Sequence, residues 1–208
     1  MALRNILTEE DPGLRKICKP VVNFNARLHQ LLDDMAETLT KADGVGLAAP
    51  QVGVLRRAAL VLETNVPEDE EPYLIEMINP EIVFAEGEQH EAEGCLSVPG
   101  EYGVVLRPAV VRVRAQDRYG ETFEVTGEGL TARCFCHEID HLEGIVFTDK
   151  CERMLTEEEM QAMQQSAEEE EQENREEMNQ QTGTAQARKG NRKRHPKQNR
   201  TPDRKGTV

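Results

Sequence analysis

Residues 137–141 carry the pattern with the clearest chemistry, His137-Glu138-Ile139-Asp140-His141. Two histidines at positions i and i+4 lie one turn apart on one face of a helix, a spacing that lets both imidazoles reach one divalent cation. A carboxylate beside them can accept a proton from water that a bound cation has acidified, and can later pass it to a leaving amine. The pattern indicates a metal-dependent hydrolase, although the same five residues also fit an ordinary exposed polar helix.

A catalytic metal site of this kind takes three protein ligands, so the sequence must supply one more. One class of zinc proteases uses a histidine six residues after the second one, and Phe147 at that position excludes the class. Glu157–Glu159 leave open a protease with a downstream glutamate ligand. The better candidate is Cys95, within Glu93-Gly94-Cys95-Leu96-Ser97, whose thiolate would complete a Cys-His-His set. The competing interpretation of Cys95 is a small buried apolar residue.

The charge of the chain is distributed unevenly along its 208 residues. The net charge is −13 over residues 1–156, −9 over residues 157–182 and +8 over residues 183–208. An acidic body argues against nucleic-acid binding by the surface of the body and leaves the basic end as the candidate site for an anionic partner. No secretory leader or membrane span is visible, and the five cysteines are an odd number, so we expect a cytoplasmic protein with free thiols or metal ligands.

Several regular elements must position these residues. Apolar residues from Leu28 to Leu39 recur with helical spacing after Asn23 and Asn25, either of which could cap the helix. Short strand-like runs follow at Arg57–Leu62, Tyr73–Ile78, Glu81–Phe84, Val104–Leu106, Val110–Val113 and Thr122–Val125. A second helix is expected over Leu130–Leu142, with Gly144 just beyond its end. These features predict an α+β fold in which antiparallel β-sheets surround a central helix that carries the HExxH motif.

The composition divides the chain into three parts. Residues 1–155 are predicted to form the catalytic domain. Residues 156–182 are rich in Glu and Gln, and Thr156 with Glu159 fits a capping box, so we expect an acidic helical extension. Residues 183–208 have nothing to bury and are predicted to be a basic disordered tail.

Three segments together resemble one known family, the peptide deformylases. They are Gly44-Val45-Gly46-Leu47-Ala48-Ala49-Pro50-Gln51, Glu93-Gly94-Cys95-Leu96-Ser97 and His137-Glu138-Ile139-Asp140-His141. The likeness extends over about residues 3–155, with all three motifs intact and in the family's order. It implies a metal-dependent hydrolase that removes the formyl group from the N-terminal formylmethionine of nascent polypeptides and releases formate.

The resemblance also implies a role for each matched residue. Cys95, His137 and His141 would hold one Fe²⁺ per chain, for which Zn²⁺, Ni²⁺ or Co²⁺ could substitute. Glu138 would be the general acid and base, and the Gln51 side-chain amide and the Leu96 backbone N–H would face the developing oxyanion. The substrate would be bound at four positions: Val45, Gly46, Leu130 and Cys134. Leu130 and Cys134 precede His137 by seven and three residues, hence on the same helix face.

Two rival functions and several further expectations accompany this interpretation. The rivals are an HExxH-type zinc endopeptidase and a non-catalytic metal-binding protein tethered by its basic tail. We expect a monomer that acts on N-formyl-methionyl peptides, with no membrane or DNA partner. The tail is either a solubilising extension or a contact to ribosomal RNA. Asp140 is predicted to be a structural carboxylate paired with Arg107, and Cys136 is predicted to pack in the core.

Overall fold

The computed structural model of the chain describes residues 3–67, 70–163, 165 and 166. The chain divides after Thr156 into two units, and residues 157–163, 165 and 166 of the second unit are helical. The predicted basic tail, and the part of the acidic extension beyond residue 166, lie outside the described residues. Within the described part of the chain, no helix combines the length and apolar character needed to cross a membrane.

Two antiparallel sheets form the body of the first unit. The larger sheet has five strands in the order β1-β2-β3-β6-β7, and the smaller has three in the order β4-β5-β8. The strands are β1 (Gly46–Ala48), β2 (Ala58–Glu63), β3 (Tyr73–Glu86), β4 (Gln89–Cys95), β5 (Val98–Arg107), β6 (Val110–Gln116), β7 (Thr122–Glu128) and β8 (Cys151–Met154). Single-turn 3₁₀ helices occur at Pro12–Arg15, Ala49–Val52 and Phe147–Asp149.

The first helix, α1 (Ala26–Lys41), follows the predicted amphipathic pattern. Asn25 caps it, because its side-chain oxygen accepts hydrogen bonds from the backbone N–H groups of Arg27 and Leu28 at 3.0 and 3.4 Å. The buried apolar face comprises Leu28, Leu31, Leu32, Met35 and Leu39. Each of these side chains stabilises the fold by about 1.5–3 kcal/mol through burial. The helix therefore anchors the chain that leads into β1.

The second helix, α2 (Gly129–Leu142), carries the HExxH residues and packs on the five-stranded sheet. Phe135 and Leu142 on this helix are fully buried in the core between helix and sheet. Gly144 follows the helix with φ 77°, and a Cβ at this position would lie 2.7 Å from the backbone of Arg15. Only glycine suits both the left-handed conformation and the close approach. The predicted α+β arrangement around this helix is confirmed.

Two predicted strand boundaries were wrong. Tyr73–Ile78 and Glu81–Phe84 belong to one strand, β3, which continues through an irregularity at Asn79 and Pro80. Asn79 has φ 52°, and its side chain hydrogen-bonds the backbone of Val21, so the break in the pattern is a bend within the strand. Strand β4 was missed, because its buried side chain is Glu93 and the sequence shows no apolar alternation there.

Candidate active site

Three predicted ligands converge where β4 meets α2. Cys95 ends β4, while His137 and His141 stand one turn apart on α2 with ring centroids 4.9 Å apart. One potential ligand atom from each residue lies within 4.8 Å of the others, and Cys95 Sγ is 3.2 Å from His141 Nε2. The sulfur of half-buried Cys95 and the imidazole nitrogens of two buried histidines form a donor set that suits a divalent transition metal. The residues present therefore fit a metal ion.

The orientation of His137 is set by Glu93. Glu93 Oε2 lies 3.0 Å from His137 Nδ1, which leaves Nε2 as the ring nitrogen available to a metal. Burial by itself would raise the pKa of Glu93, but hydrogen bonds with His137 and Arg107 outweigh it and lower the pKa to about 2. Burial would lower the pKa of His137, but hydrogen bonds with Cys95 and Glu93 raise it to about 10. Glu93 is therefore an anion that holds the imidazole in place.

Arg107 on β5 joins this carboxylate to α2, the helix of His137 and His141. Its Nε and Nη2 donate to the two carboxylate oxygens of Glu93 at 2.8 and 3.0 Å, and its Nη1 donates to Asp140 Oδ2 at 2.6 Å. Lys150 Nζ donates to the other Asp140 oxygen at 2.6 Å. The predicted pairing of Asp140 with Arg107 is confirmed. The network ties β4, β5 and α2 together directly behind the ligands.

Glu138 lies beside the cluster and is only 3% exposed. Its Oε2 has no hydrogen-bond partner among the described residues. Burial is the main cause that raises the pKa of this carboxyl, and the negative charge of Glu93 raises it further. The positive charges of His137 and Arg107 lower it, and the resulting pKa is about 7. A carboxyl group with this pKa and a free oxygen can gain or lose a proton near neutral pH.

Gln51, in the 3₁₀ helix after β1, contacts the cluster at Cys95. Its Oε1 accepts a hydrogen bond from the Ala48 backbone N–H at 2.8 Å, which orients the amide. Its Nε2 donates to Ser97 Oγ at 3.1 Å and to Cys95 Sγ at 3.5 Å. The amide N–H groups therefore point at Cys95 Sγ and Ser97 Oγ, in a position fixed by the local fold.

A cleft of about 390 Å³ opens onto these groups. Nine of the ten predicted site residues line it: Val45, Gly46, Gln51, Cys95, Leu96, Leu130, Cys134, His137 and Glu138. His141 is the exception; it lies behind Cys95 and is fully buried. A Cβ on Gly46 would overlap the Glu138 carboxylate, so the strand β1 approaches the helix as closely as a residue without a side chain allows.

The sequence pattern did not single out Glu93 or Ser97 as supports of the predicted ligands, and it indicated Arg107 only as the partner of Asp140. Glu93 and Ser97 lie inside the motif that contains Cys95, and this proximity was the only signal for them. Cys136, as predicted, is packed in the core. Cys134 is also buried, and burial, with a further contribution from Glu138, raises the pKa of its thiol to about 12.

Comparison with known proteins decides the family. The sequence profile described as polypeptide deformylase matches residues 3–157. The chain belongs to the peptide deformylase family. It is 53% identical over 161 residues to a peptide deformylase of Caldicellulosiruptor bescii, an alignment that covers 77% of this chain and 93% of the relative. Membership confirms the predicted family, the enzyme class of metal-dependent hydrolase and the deformylation of formylmethionine. It does not favour the two rival functions, a zinc endopeptidase and a non-catalytic metal-binding protein.

Solved structures agree with this assignment. A peptide deformylase from Legionella pneumophila superimposes with a TM-score of 0.67 at 44% identity, covering 84% of this chain and 99% of that one. The peptide deformylase from Thermotoga maritima gives a TM-score of 0.67 at 36% identity, covering 74% of this chain and 100% of that one. The chain up to about Thr156 therefore has the fold of the peptide deformylase family. A catalytic metal is implied by the family, and the Cys95, His137 and His141 cluster is consistent with it.

Proposed function

We propose that deformylation takes place in the cleft beside Cys95, with Cys95, His137 and His141 as the ligands of one Fe²⁺ ion. The convergence of a sulfur and two ring nitrogens next to a buried carboxylate oxygen without a partner supports this proposal. When bound, the cation supplies Lewis acidity toward a carbonyl oxygen and toward water. The family likeness favours iron, and the donor set also accommodates Zn²⁺, Ni²⁺ or Co²⁺.

Glu138 is the general base and then the general acid. Its free Oε2 accepts a proton from the attacking water as the water oxygen bonds to the formyl carbon. The same carboxyl group delivers that proton to the methionine nitrogen as the carbon–nitrogen bond breaks, so that formate and a free amine leave. A pKa of about 7 suits both transfers, because a group that titrates near the working pH can accept and return a proton readily.

Gln51 and Leu96 stabilise the negative charge that develops on the formyl oxygen. The two donors would be the Gln51 Nε2, which contacts Cys95 Sγ, and the backbone N–H of Leu96, and both residues line the cleft. Because Ala48 holds the Gln51 amide in place, little reorganisation is needed when charge develops. Loss of one such donor typically reduces kcat by about 10²- to 10³-fold.

The substrate lies along β1 and against α2. Val45 and Gly46 present backbone to an extended peptide, and the absence of a side chain at Gly46 lets that peptide approach Glu138. Leu130 and Cys134 provide an apolar surface for the methionine side chain, and Leu130 is 42% exposed to the cleft and solvent. Gly46 leaves no room for a side chain beside Glu138, and this crowding favours a formyl group over larger acyl groups.

A single experiment tests the metal and the reaction together. Anaerobically purified protein is assayed for formate release from a formyl-Met tripeptide, and its metal content is measured by elemental analysis. Glu138→Gln should keep the metal and lose at least about 10²-fold in kcat, and Cys95→Ala should lose both metal and activity. Cys151→Ala, a control thiol on β8, should change neither. Full activity in Glu138→Gln, or retained metal in Cys95→Ala, would contradict the assignment.

The remaining expectations concern the whole chain. We infer that residues 1–155 act as a monomeric catalytic domain in the cytoplasm, that residues 156–182 form a helical extension, and that the basic residues 183–208 contact ribosomal RNA. The charge of +8 over the final segment supports the last point, since phosphate binding scales with the number of cations. Cosedimentation with ribosomes should fall, and lose its salt dependence, when the chain is truncated after Thr182. Unchanged binding would exclude this role.

A further inference from the structure

Arg133 occupies a fixed position in the wall of the cleft. It stands on α2 one turn before His137, and its half-buried side chain lines the cleft next to Cys134. Its Nη1 donates to Gln89 Oε1 at 3.0 Å. Gln89 is itself held, because its Nε2 donates to the backbone oxygens of Pro108 at 2.8 Å and Gly129 at 3.0 Å. The guanidinium is therefore tethered at the side of the substrate cleft.

The charge of Arg133 is not neutralised by a neighbour. Among the residues that the structure describes, no carboxylate forms an ion pair with it, whereas Arg107 is paired with both Glu93 and Asp140. Asp43 and Glu101 also line the cleft, but neither lies within ion-pair distance of Arg133. A guanidinium has five N–H donors, and the tether to Gln89 uses one of them. The rest are available to a ligand in the cleft.

We propose that Arg133 is a specificity-determining residue that favours formylated peptides with Asp or Glu at the second or third position. This inference rests on the proposed function, which seats the methionine side chain against Leu130 and Cys134. The tether holds the guanidinium beside Gln89, at the end of β4 opposite to Cys95, so the group that meets it lies beyond the methionine. Arg133 binds carboxylates well, since its planar fork can donate two parallel hydrogen bonds.

The charge of Arg133 is opposite in sign to the net charge of the rest of the catalytic domain. Residues 1–156 carry a net charge of −13, so the surface as a whole attracts basic peptides and repels acidic ones. A fixed cation at the wall of the cleft reverses that preference locally, where the separation of charges is short and solvent is partly excluded. The preference should therefore depend on Arg133 specifically and should weaken as salt is added.

The test compares three formyl-Met-Ala-X peptide amides, with X as Glu, Gln or Lys, together with the matching formyl-Met-X-Ala amides. The amide end removes the terminal carboxylate, so only the side-chain charge varies. In at least one series, wild-type kcat/KM should be about fivefold higher for Glu than for Lys, and the ratio should shrink in high salt. Arg133→Gln should bring the two rates within about twofold, and Arg133→Glu should reverse their order.

A charge-matched control separates the local effect from net charge. Arg27→Gln removes one cation from the exposed first turn of α1, away from the cleft, and should retain the wild-type ratio. Each ratio is taken within one protein preparation, so partial misfolding of a variant does not change it. Equal wild-type rates for Glu and Lys in both series, or an unchanged ratio in Arg133→Gln, overturn the inference. Absence of formate from the Gln peptides would instead contradict the proposed function.

Discussion

Glu93 Oε2 lies 3.0 Å from His137 Nδ1, and this contact joins the cluster of Cys95, His137 and His141 to the buried ion pair of Glu93 and Arg107. The same carboxylate receives two hydrogen bonds from Arg107, which also binds Asp140, the residue directly before His141. Oε2 of Glu93 therefore contacts both the imidazole of His137 and the guanidinium of Arg107. An imidazole held in this way presents its other nitrogen to a metal without rotational freedom.

Glu93→Gln should weaken metal binding. The amide cannot accept from both His137 and Arg107 as the carboxylate does, so the ring loses its anionic partner and the guanidinium loses one of its two anions. We expect about 10- to 100-fold lower metal affinity, measured by competition with a chromophoric chelator. Glu91→Gln, at an exposed position of the same strand, should have wild-type affinity. Equal affinity in both variants would show that Glu93 does not orient the ligand.

The Glu93 carboxylate should also make stability depend on pH in acid. Its pKa is lowered from 4.5 to about 2 in the folded protein. A lowered pKa means that the carboxylate stabilises the fold above the unfolded pKa, and that this contribution disappears as pH falls from about 4.5 to 2. The contribution is on the order of 3 kcal/mol at neutral pH.

Urea unfolding of wild type and Glu93→Gln, from pH 7 to pH 2 and with chelator present, measures this effect. The chelator keeps loss of metal from contributing to the pH dependence. The difference in the free energy of unfolding should be largest above pH 5 and should shrink toward zero near pH 2. A difference that stayed constant over the whole range would mean that ionisation of Glu93 is not its source.

Gly46→Ala should reduce kcat with little loss of stability. A Cβ at this position would overlap Oε1 of Glu138 and come within 2.9 Å of its Cδ, so the carboxylate must move. A displacement of about 1 Å at a catalytic group can reduce the rate by about 10²-fold. Gly13→Ala is the matched control, because its Cβ would also meet a carboxylate oxygen, 2.8 Å away on Asp11, far along the chain from the cleft residues.

The two variants are compared by steady-state formate release and by thermal melting. We expect wild-type kcat from Gly13→Ala and a clear loss of kcat from Gly46→Ala, with similar melting temperatures. If Gly46→Ala retained full kcat, the close approach of β1 to Glu138 would have no catalytic consequence.

The cysteines of the cleft should differ in reactivity toward iodoacetamide. The thiolate is the reactive form, and a pKa of about 12 leaves Cys134 almost entirely as the thiol at neutral pH. Peptide mass spectrometry should find Cys134 unmodified in the folded protein and modified after denaturation. Cys95 should become modified once a chelator removes the metal. Labelling of Cys134 in the folded chain at the rate seen in the denatured chain would contradict its burial.

The local part of the site was readable from the sequence. His137 and His141 share a helix face because the helical repeat places residues four apart on one side, and this holds in any surrounding fold. Gly144 was correctly placed beyond a helix end, and Asn25 was one of the two predicted caps, for the same reason, since caps depend on neighbouring residues. Cys95 was found by its motif, whose likeness to a family carries information that spacing alone lacks.

The supporting contacts required the tertiary structure. Strand β4 has no apolar alternation because its buried side chain is Glu93, and a buried carboxylate is tolerated only where a partner such as Arg107 meets it from another strand. The tether between Gln89 and Arg133 likewise joins residues 44 apart. Helix periodicity and capping arise within a few residues, whereas the pairing of buried charges depends on which distant strands become neighbours. Only the folded chain decides that.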